Sequence, residues 1–110
     1  MITDITPRIK PRDVTESTVQ ETFDMAMKRM SAEEQVDKCI EEMSELTKAF
    51  IKTRQNGVVF SHAVFEEAVH VRLAIDLLEY WIPSNKEIFE KIKRDRIAIW
   101  NEYEHRCKGE

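Results

Sequence analysis

The chain has few of the residues that interrupt helices, with two glycines and three prolines among 110 residues. This scarcity excludes a collagen-like or low-complexity chain and argues against a loop-rich or all-β fold, because tight turns depend on these residues. The composition is 42% apolar and 35% charged, which is typical of helices with one buried and one solvated face. We therefore expect a single all-α domain at this length.

Cysteines and long apolar runs are also scarce. Cys39 and Cys107 lie far apart without a C-x-x-C pair, which excludes the disulfide framework of small secreted domains. We expect Cys39, beside apolar positions, to be a small buried residue. No apolar run approaches membrane length, and residues 1–14 lack the apolar core of a signal peptide. We therefore expect no membrane partner and a cytoplasmic location.

Positive charge does not dominate the chain, which carries a formal net charge of -4. A basic stretch over residues 91–96 is interrupted by Asp95, and such a stretch is typical of a solvated helix face or a small phosphate-facing patch. Binding to a nucleic acid polymer needs a larger basic surface. We expect no such partner.

Apolar periodicity predicts four helices, over about residues 15–30, 32–55 and 61–81 and from Ser84 to the tail at His105. Residues 1–14, which include Pro7 and Pro11, are predicted to form an extended N-terminal arm before a domain over 15–110. The expected fold is an all-α four-helix bundle. We also expect a dimer or tetramer, because a short helical chain buries a modest core.

Local signals at helix ends support these boundaries. Ser31 and Ser84 are each followed three residues later by a glutamate, which predicts capping boxes at the starts of the second and fourth helices. Asn56-Gly57 predicts a left-handed cap after the second helix. Pro83 is expected to end the third.

Two short acidic motifs are the strongest indication of chemistry. Glu42 and Glu45 are three residues apart on the second predicted helix, and Glu67 and His70 have the same spacing on the third. Residues at this spacing share a helix face, so two such helices can close around a divalent cation. Carboxylate oxygens suit Mg²⁺ or Mn²⁺, whereas an imidazole suits manganese, iron, cobalt or zinc better than magnesium.

Other interpretations of the same residues stay open. Acidic helix faces in a highly charged chain are often only solvated. Glu67-x-x-His70 matches the E-x-x-H unit of di-iron carboxylate bundles, but the second such unit, Glu102-x-x-His105, lies in a terminal turn. His62, Glu66 and His70 are spaced for a surface zinc site that lacks a fourth ligand.

The stretch Glu41-Glu42-Met43-Ser44-Glu45-Leu46 resembles the E-E-x-x-E-L motif of the all-α nucleoside triphosphate pyrophosphohydrolases, the MazG-like superfamily. Glu66-Glu67-Ala68-Val69-His70-Val71 stands where that family has E-E-x-x-D-V. The resemblance covers about residues 31–106. The chain departs from the pattern at His70, which replaces the aspartate.

The resemblance implies hydrolysis of a nucleoside triphosphate to a nucleoside monophosphate and pyrophosphate. Its implied cofactor is Mg²⁺, or Mn²⁺ because of His70. The implied metal ligands are Glu42, Glu45, Glu67 and His70, with Glu41 as the base that orients water. The implied phosphate contacts are Lys48, Lys52, Lys93 and Arg96. The alternative is a catalytically impaired homologue that binds nucleotides or a protein, since an imidazole does not reproduce the aspartate's charge.

Overall fold

The structure is a computed structural model that describes residues 8–81 and 83–109, apart from the side chains of residues 83–85. Within these residues, all regular structure is helical, so the predicted all-α class is confirmed. The elements are a 3₁₀ turn at Pro11–Asp13 and the helices α1 (Glu16–Arg29), α2 (Ala32–Gln55), α3 (His62–Trp81) and α4 (Pro83–Cys107).

The chain divides into two compact units, Met1–Ser31 and Ala32–Glu110. The first unit contains α1, whose start is stabilised by a reciprocal capping box: Thr18 N donates to Thr15 Oγ1 at 3.3 Å, and Thr15 N donates to Thr18 Oγ1 at 3.2 Å. The arm that was predicted to be extended forms a 3₁₀ turn at Pro11–Asp13 instead. Proline at the first position of such a turn loses no hydrogen bond. Pro7 lies outside the described residues.

In the second unit, α2 ends in the left-handed cap that Asn56-Gly57 predicts. Gly57 has a φ of 76°, Gly57 N donates to Arg54 O at 2.9 Å, and Val58 N donates to Thr53 O at 3.2 Å. This pair of hydrogen bonds is a Schellman motif, which satisfies carbonyls that the helix end leaves open. The chain then turns back into α3.

Helices α2 and α3 form an antiparallel hairpin whose ends are linked by polar contacts. Near the turn, the Thr53 and Ser61 hydroxyls lie 2.8 Å apart, and Ser61 Oγ accepts a hydrogen bond from Val64 N at 3.3 Å. At the far end, Gln35 Nε2 donates to Ala74 O at 2.9 Å. These contacts set the register of the two helices.

The face of α2 that packs against α3 is unusually polar. The buried apolar side chains of the described residues are Cys39, Val64, Ala74 and Leu77, which confirms the prediction for Cys39. The buried polar ones all belong to α2 and are Gln35, Glu42 and Thr53. Buried polar groups need partners, and Gln35 and Thr53 have at least one each. Glu42 lies between these two residues on α2, and neither of its carboxylate oxygens has a hydrogen bond.

Helix α4 contacts α3 and begins at Pro83. The prediction that Ser84 opens this helix is therefore wrong, because Ser84 lies inside the first turn. Proline is well suited to a first helical position, where its missing N–H would have no intrahelical partner. Among the described residues, no helix is both long enough and apolar enough to span a membrane.

The left-handed backbone at Gly57 leads to a stability prediction. Gly57→Ala should lower the free energy of unfolding by about 1–2 kcal/mol, because a Cβ is unfavourable at positive φ, although it would meet no atom within 4 Å. Gly57→Asn is the matched control and should lower the free energy of unfolding by a smaller amount, since asparagine tolerates this conformation. Urea denaturation followed by circular dichroism measures both. Equal losses for the two variants would contradict the backbone explanation.

Candidate metal centre

Three side chains from the α2–α3 hairpin converge at its middle. Glu42 comes from α2, and Glu67 and His70 lie one turn apart on α3. His70 Nδ1 is 3.3 Å from Glu67 Oε2 and 3.5 Å from Glu42 Oε2. One ligand atom from each of the three residues lies within 4.8 Å of the other two. The spacing of three along α3 puts Glu67 and His70 on one face, and the hairpin register puts Glu42 opposite them.

Glu42 is the most unusual member of this cluster. Its side chain is 2% exposed, and neither of its carboxylate oxygens has a hydrogen-bond partner. Lys38 Nζ lies 3.3 Å from Oε1, close enough for an ion pair but without the alignment of a hydrogen bond. A buried carboxylate loses its hydration, and that loss is unfavourable unless hydrogen bonds or a cation replace it. Glu42 therefore has the environment of a ligand.

The charges around Glu42 leave room for a cation. Glu42 and Glu67 are two carboxylates, Lys38 is one cation, and His70 contributes an imidazole. The side chains of Glu67 and His70 are 22% and 31% exposed, so one side of the cluster is open to solvent.

The cluster offers two oxygen donors and one nitrogen donor. Three protein ligands leave coordination positions for water or a substrate, as in catalytic metal sites. Carboxylate oxygens fit magnesium and manganese, and the imidazole nitrogen fits a first-row transition metal. The donor set therefore suits a divalent cation.

The other residues predicted at the site lie outside this group of three. Glu45 is half-buried on α2, one turn beyond Glu42. Glu41 is exposed, with Oε1 at 3.9 Å from Lys38 Nζ. The predicted phosphate contacts are all exposed, on α2 for Lys48 and Lys52 and on α4 for Lys93 and Arg96. Lys93 borders a shallow depression along α4, together with Arg94 and Ile97. Their functional roles stay predictions.

Neither alternative metal motif forms a second cluster in the part of the chain that the structure describes. His62 Nε2 pairs with Glu66 Oε1 at 2.7 Å, and His62 is largely solvated. Glu102 Oε1 pairs with Arg106 Nη2 at 2.6 Å, and both side chains are exposed. These are surface ion pairs between residues four apart, which contribute little to stability.

Sequence reasoning did not identify Lys38 and Gln35 as parts of this region. Lys38 is four residues before Glu42, and this spacing is the standard signal for a helical ion pair. Gln35 precedes Glu42 by seven residues and therefore lies two turns away on the same face. Burial raises the pKa of the nearby Cys39 thiol, the negative charge of Glu42 raises it further, and a hydrogen bond from Gln35 opposes both effects. The Cys39 thiol is therefore harder to ionise than that of a free cysteine.

Comparison with protein-family models, with curated proteins and with solved structures finds no match for this chain. The function must therefore be inferred from the chain's own residues. Among these, the cluster of Glu42, Glu67 and His70 combines burial, convergence and a recognisable donor set.

The unpartnered carboxylate leads to a second stability prediction. In chelator-treated protein, Glu42→Gln should raise the free energy of unfolding by about 1–3 kcal/mol, because an amide is less unfavourable than a carboxylate in a buried site without hydrogen bonds. Glu41→Gln makes the same charge change at an exposed position and should stay within about 0.5 kcal/mol of wild type. Urea denaturation measures both. A loss of stability in Glu42→Gln would show that Lys38 and His70 already compensate the carboxylate.

Proposed function

We propose that this chain is a metal-dependent nucleoside triphosphate pyrophosphohydrolase of the MazG-like, all-α type, which releases a nucleoside monophosphate and pyrophosphate. One observation carries the proposal. Glu42, from the E-E-x-x-E motif, is buried without a hydrogen bond and faces Glu67 and His70 of the second motif. The two sequence motifs that suggest the family thus meet at one place in the fold.

The three clustered residues would hold Mg²⁺ or Mn²⁺, with Glu45 one turn further along α2 as a fourth ligand. When bound, the cation would neutralise the triphosphate and lower the pKa of a coordinated water. Glu41, exposed beside Glu42, is the proposed base that orients water for attack between the α and β phosphates. Lys48 and Lys52 on α2, with Lys93 and Arg96 on α4, are the proposed phosphate contacts.

A second candidate function follows from His70. Its Nδ1 lies within 3.5 Å of both carboxylates, at the position where the family pattern has an aspartate. An imidazole supplies no negative charge, so the cluster would attract a cation less strongly than four carboxylates. In this alternative the chain is a catalytically impaired relative that binds a nucleotide or a protein.

Pyrophosphate release separates the two candidates. We expect the full chain, incubated with common and modified nucleoside triphosphates and with Mg²⁺ or Mn²⁺, to release pyrophosphate from at least one of them. Glu42→Gln should reduce the rate by about 100-fold or more, since it removes a charge that positions the reacting group. Glu66→Gln, an exposed neighbour of Glu67, is the matched control and should retain the wild-type rate.

The variant His70→Asp distinguishes an active natural chain from a catalytically impaired one. If wild type releases no pyrophosphate from any nucleotide with either metal and His70→Asp does, the natural chain is the impaired relative. If Glu42→Gln abolishes an activity that wild type has, the binding-only alternative is excluded. His62→Asp, on the exposed side of α3, controls for the added charge.

The proposed enzyme is an oligomer in which a second copy covers the outer face of α2. Apolar side chains at positions 36, 40, 43 and 50 of α2 are exposed, and their spacing follows the heptad pattern of a seam between helices. The charged side chains Lys48 and Lys52 occupy another face of the same helix. A second copy packed along the apolar face would complete a four-helix bundle. The proposed state is a homodimer or homotetramer.

This assembly predicts the effect of a charge at the apolar seam. Ile40→Glu should convert the oligomer to a monomer, because a carboxylate would have to be buried among apolar side chains. Lys48→Glu, on the charged face, should leave the oligomer intact. Sedimentation velocity at several protein concentrations measures both variants. A wild-type chain that is monomeric at every concentration would contradict the proposed assembly.

A further inference from the structure

We infer that the cluster of Glu42, Glu67 and His70 is selective for first-row transition cations, represented by Mn²⁺, over Mg²⁺. The inference rests on the metal centre of the proposed function but not on its catalysis. It concerns the one position at which the chain departs from the family pattern. A change from an oxygen donor to a nitrogen donor alters which cation the centre prefers.

The position of the imidazole is the first argument for the inference. His70 Nδ1 hydrogen-bonds with Glu67 Oε2 at 3.3 Å and lies 3.5 Å from Glu42 Oε2. Two donors can share one ion when they are separated by less than about 4.2 Å, twice a typical metal–ligand distance of about 2.1 Å. A cation that displaced the hydrogen bond between His70 and Glu67 would have Nδ1 and an oxygen of each carboxylate within reach.

The balance of charge among the carboxylates and Lys38 is the second argument. Lys38 Nζ lies 3.3 Å from Glu42 Oε1 and offsets one of the two carboxylate charges. A hard cation such as Mg²⁺ is held mainly by charge, prefers oxygen ligands and gives up its waters reluctantly. A transition cation gains from the imidazole in addition to the charge. Replacement of an aspartate by histidine therefore weakens Mg²⁺ binding more than Mn²⁺ binding.

The difference in solvent exposure among the three side chains is the third argument. Both carboxylate oxygens of Glu42 are shielded from solvent, whereas His70 is 31% exposed, so an ion would have to displace the imidazole or the Glu67 side chain to reach Glu42. Glu45, outside the group of three, offers a further oxygen donor on the same helix. If Glu45 dominated the binding, the centre would behave as an oxygen site and the selectivity would disappear.

Titration of the chelator-treated full chain with Mn²⁺ alone and with Mg²⁺ alone tests the inference. By calorimetry, we expect Mn²⁺ to bind about tenfold more tightly than Mg²⁺ or better, because the nitrogen donor favours the transition cation. His70→Asp should narrow this ratio to within about threefold. His62→Asp adds the same charge on the exposed side of α3 and should keep the wild-type ratio.

A spectroscopic measurement on the wild-type chain avoids dependence on folding of the variants. Pulsed electron paramagnetic resonance of bound Mn²⁺ should show coupling to one histidine ¹⁴N nucleus. That coupling should change to ¹⁵N in protein labelled only at histidine, and it should vanish in His70→Asp. Equal affinities for the two cations, or bound Mn²⁺ without a nitrogen coupling, would overturn the inference.

The metal-binding experiments can succeed or fail independently of the pyrophosphate-release experiment that tests the proposed function. Mn²⁺ selectivity with a nitrogen coupling, but no pyrophosphate release, would support the inference and contradict the catalytic proposal. Pyrophosphate release with Mg²⁺, and no nitrogen coupling with Mn²⁺, would support the catalytic proposal and contradict the inference. If neither cation binds the wild-type chain, both proposals fail.

Discussion

The buried carboxylate of Glu42 is the constraint around which the α2–α3 hairpin is built. Its side chain is 2% exposed, with Lys38 and His70 as its nearest cationic or donor groups. A glutamine of nearly the same size would fill the space without a buried charge. The buried carboxylate is by itself unfavourable for the fold, and in the proposed function a bound cation would balance its charge together with Lys38.

The hairpin places that carboxylate through polar contacts on either side of it. Gln35 bonds to the carbonyl of Ala74 at one end, and Thr53 pairs with Ser61 near the turn. A shift of α2 by one residue would break both contacts and turn Glu42 away from His70, since adjacent helix positions differ by about 100°. The polar row along α2 thus specifies the register, and the register creates the cluster.

Local signals explain why much of this architecture is predictable from the sequence. The bounds of α2 and the cap at Gly57 depend on residues within a few positions of each other, and the pairing of Glu67 with His70 depends only on helical spacing. Contacts across the hairpin are different, because side-chain packing decides them. The sequence therefore did not identify Lys38 as a neighbour of Glu42, and the ligand role of Glu45, which lies outside the group of three, stays a prediction. The start of α4 at Pro83 differed because proline fits both the end of one helix and the beginning of the next.

The histidine at position 70 separates two properties that the family pattern joins. Metal binding needs only donors that converge, and the α2–α3 hairpin brings three such side chains together. Catalysis on a triphosphate also needs enough negative charge to hold a cation against the substrate's own phosphates, and here Lys38 offsets part of that charge. In the proposed enzyme, an imidazole would compensate by bonding to cations that accept nitrogen, and the choice of metal would then determine whether the site is active. If Mn²⁺ restores what Mg²⁺ alone does not support, His70 is a change of cofactor rather than a loss of function.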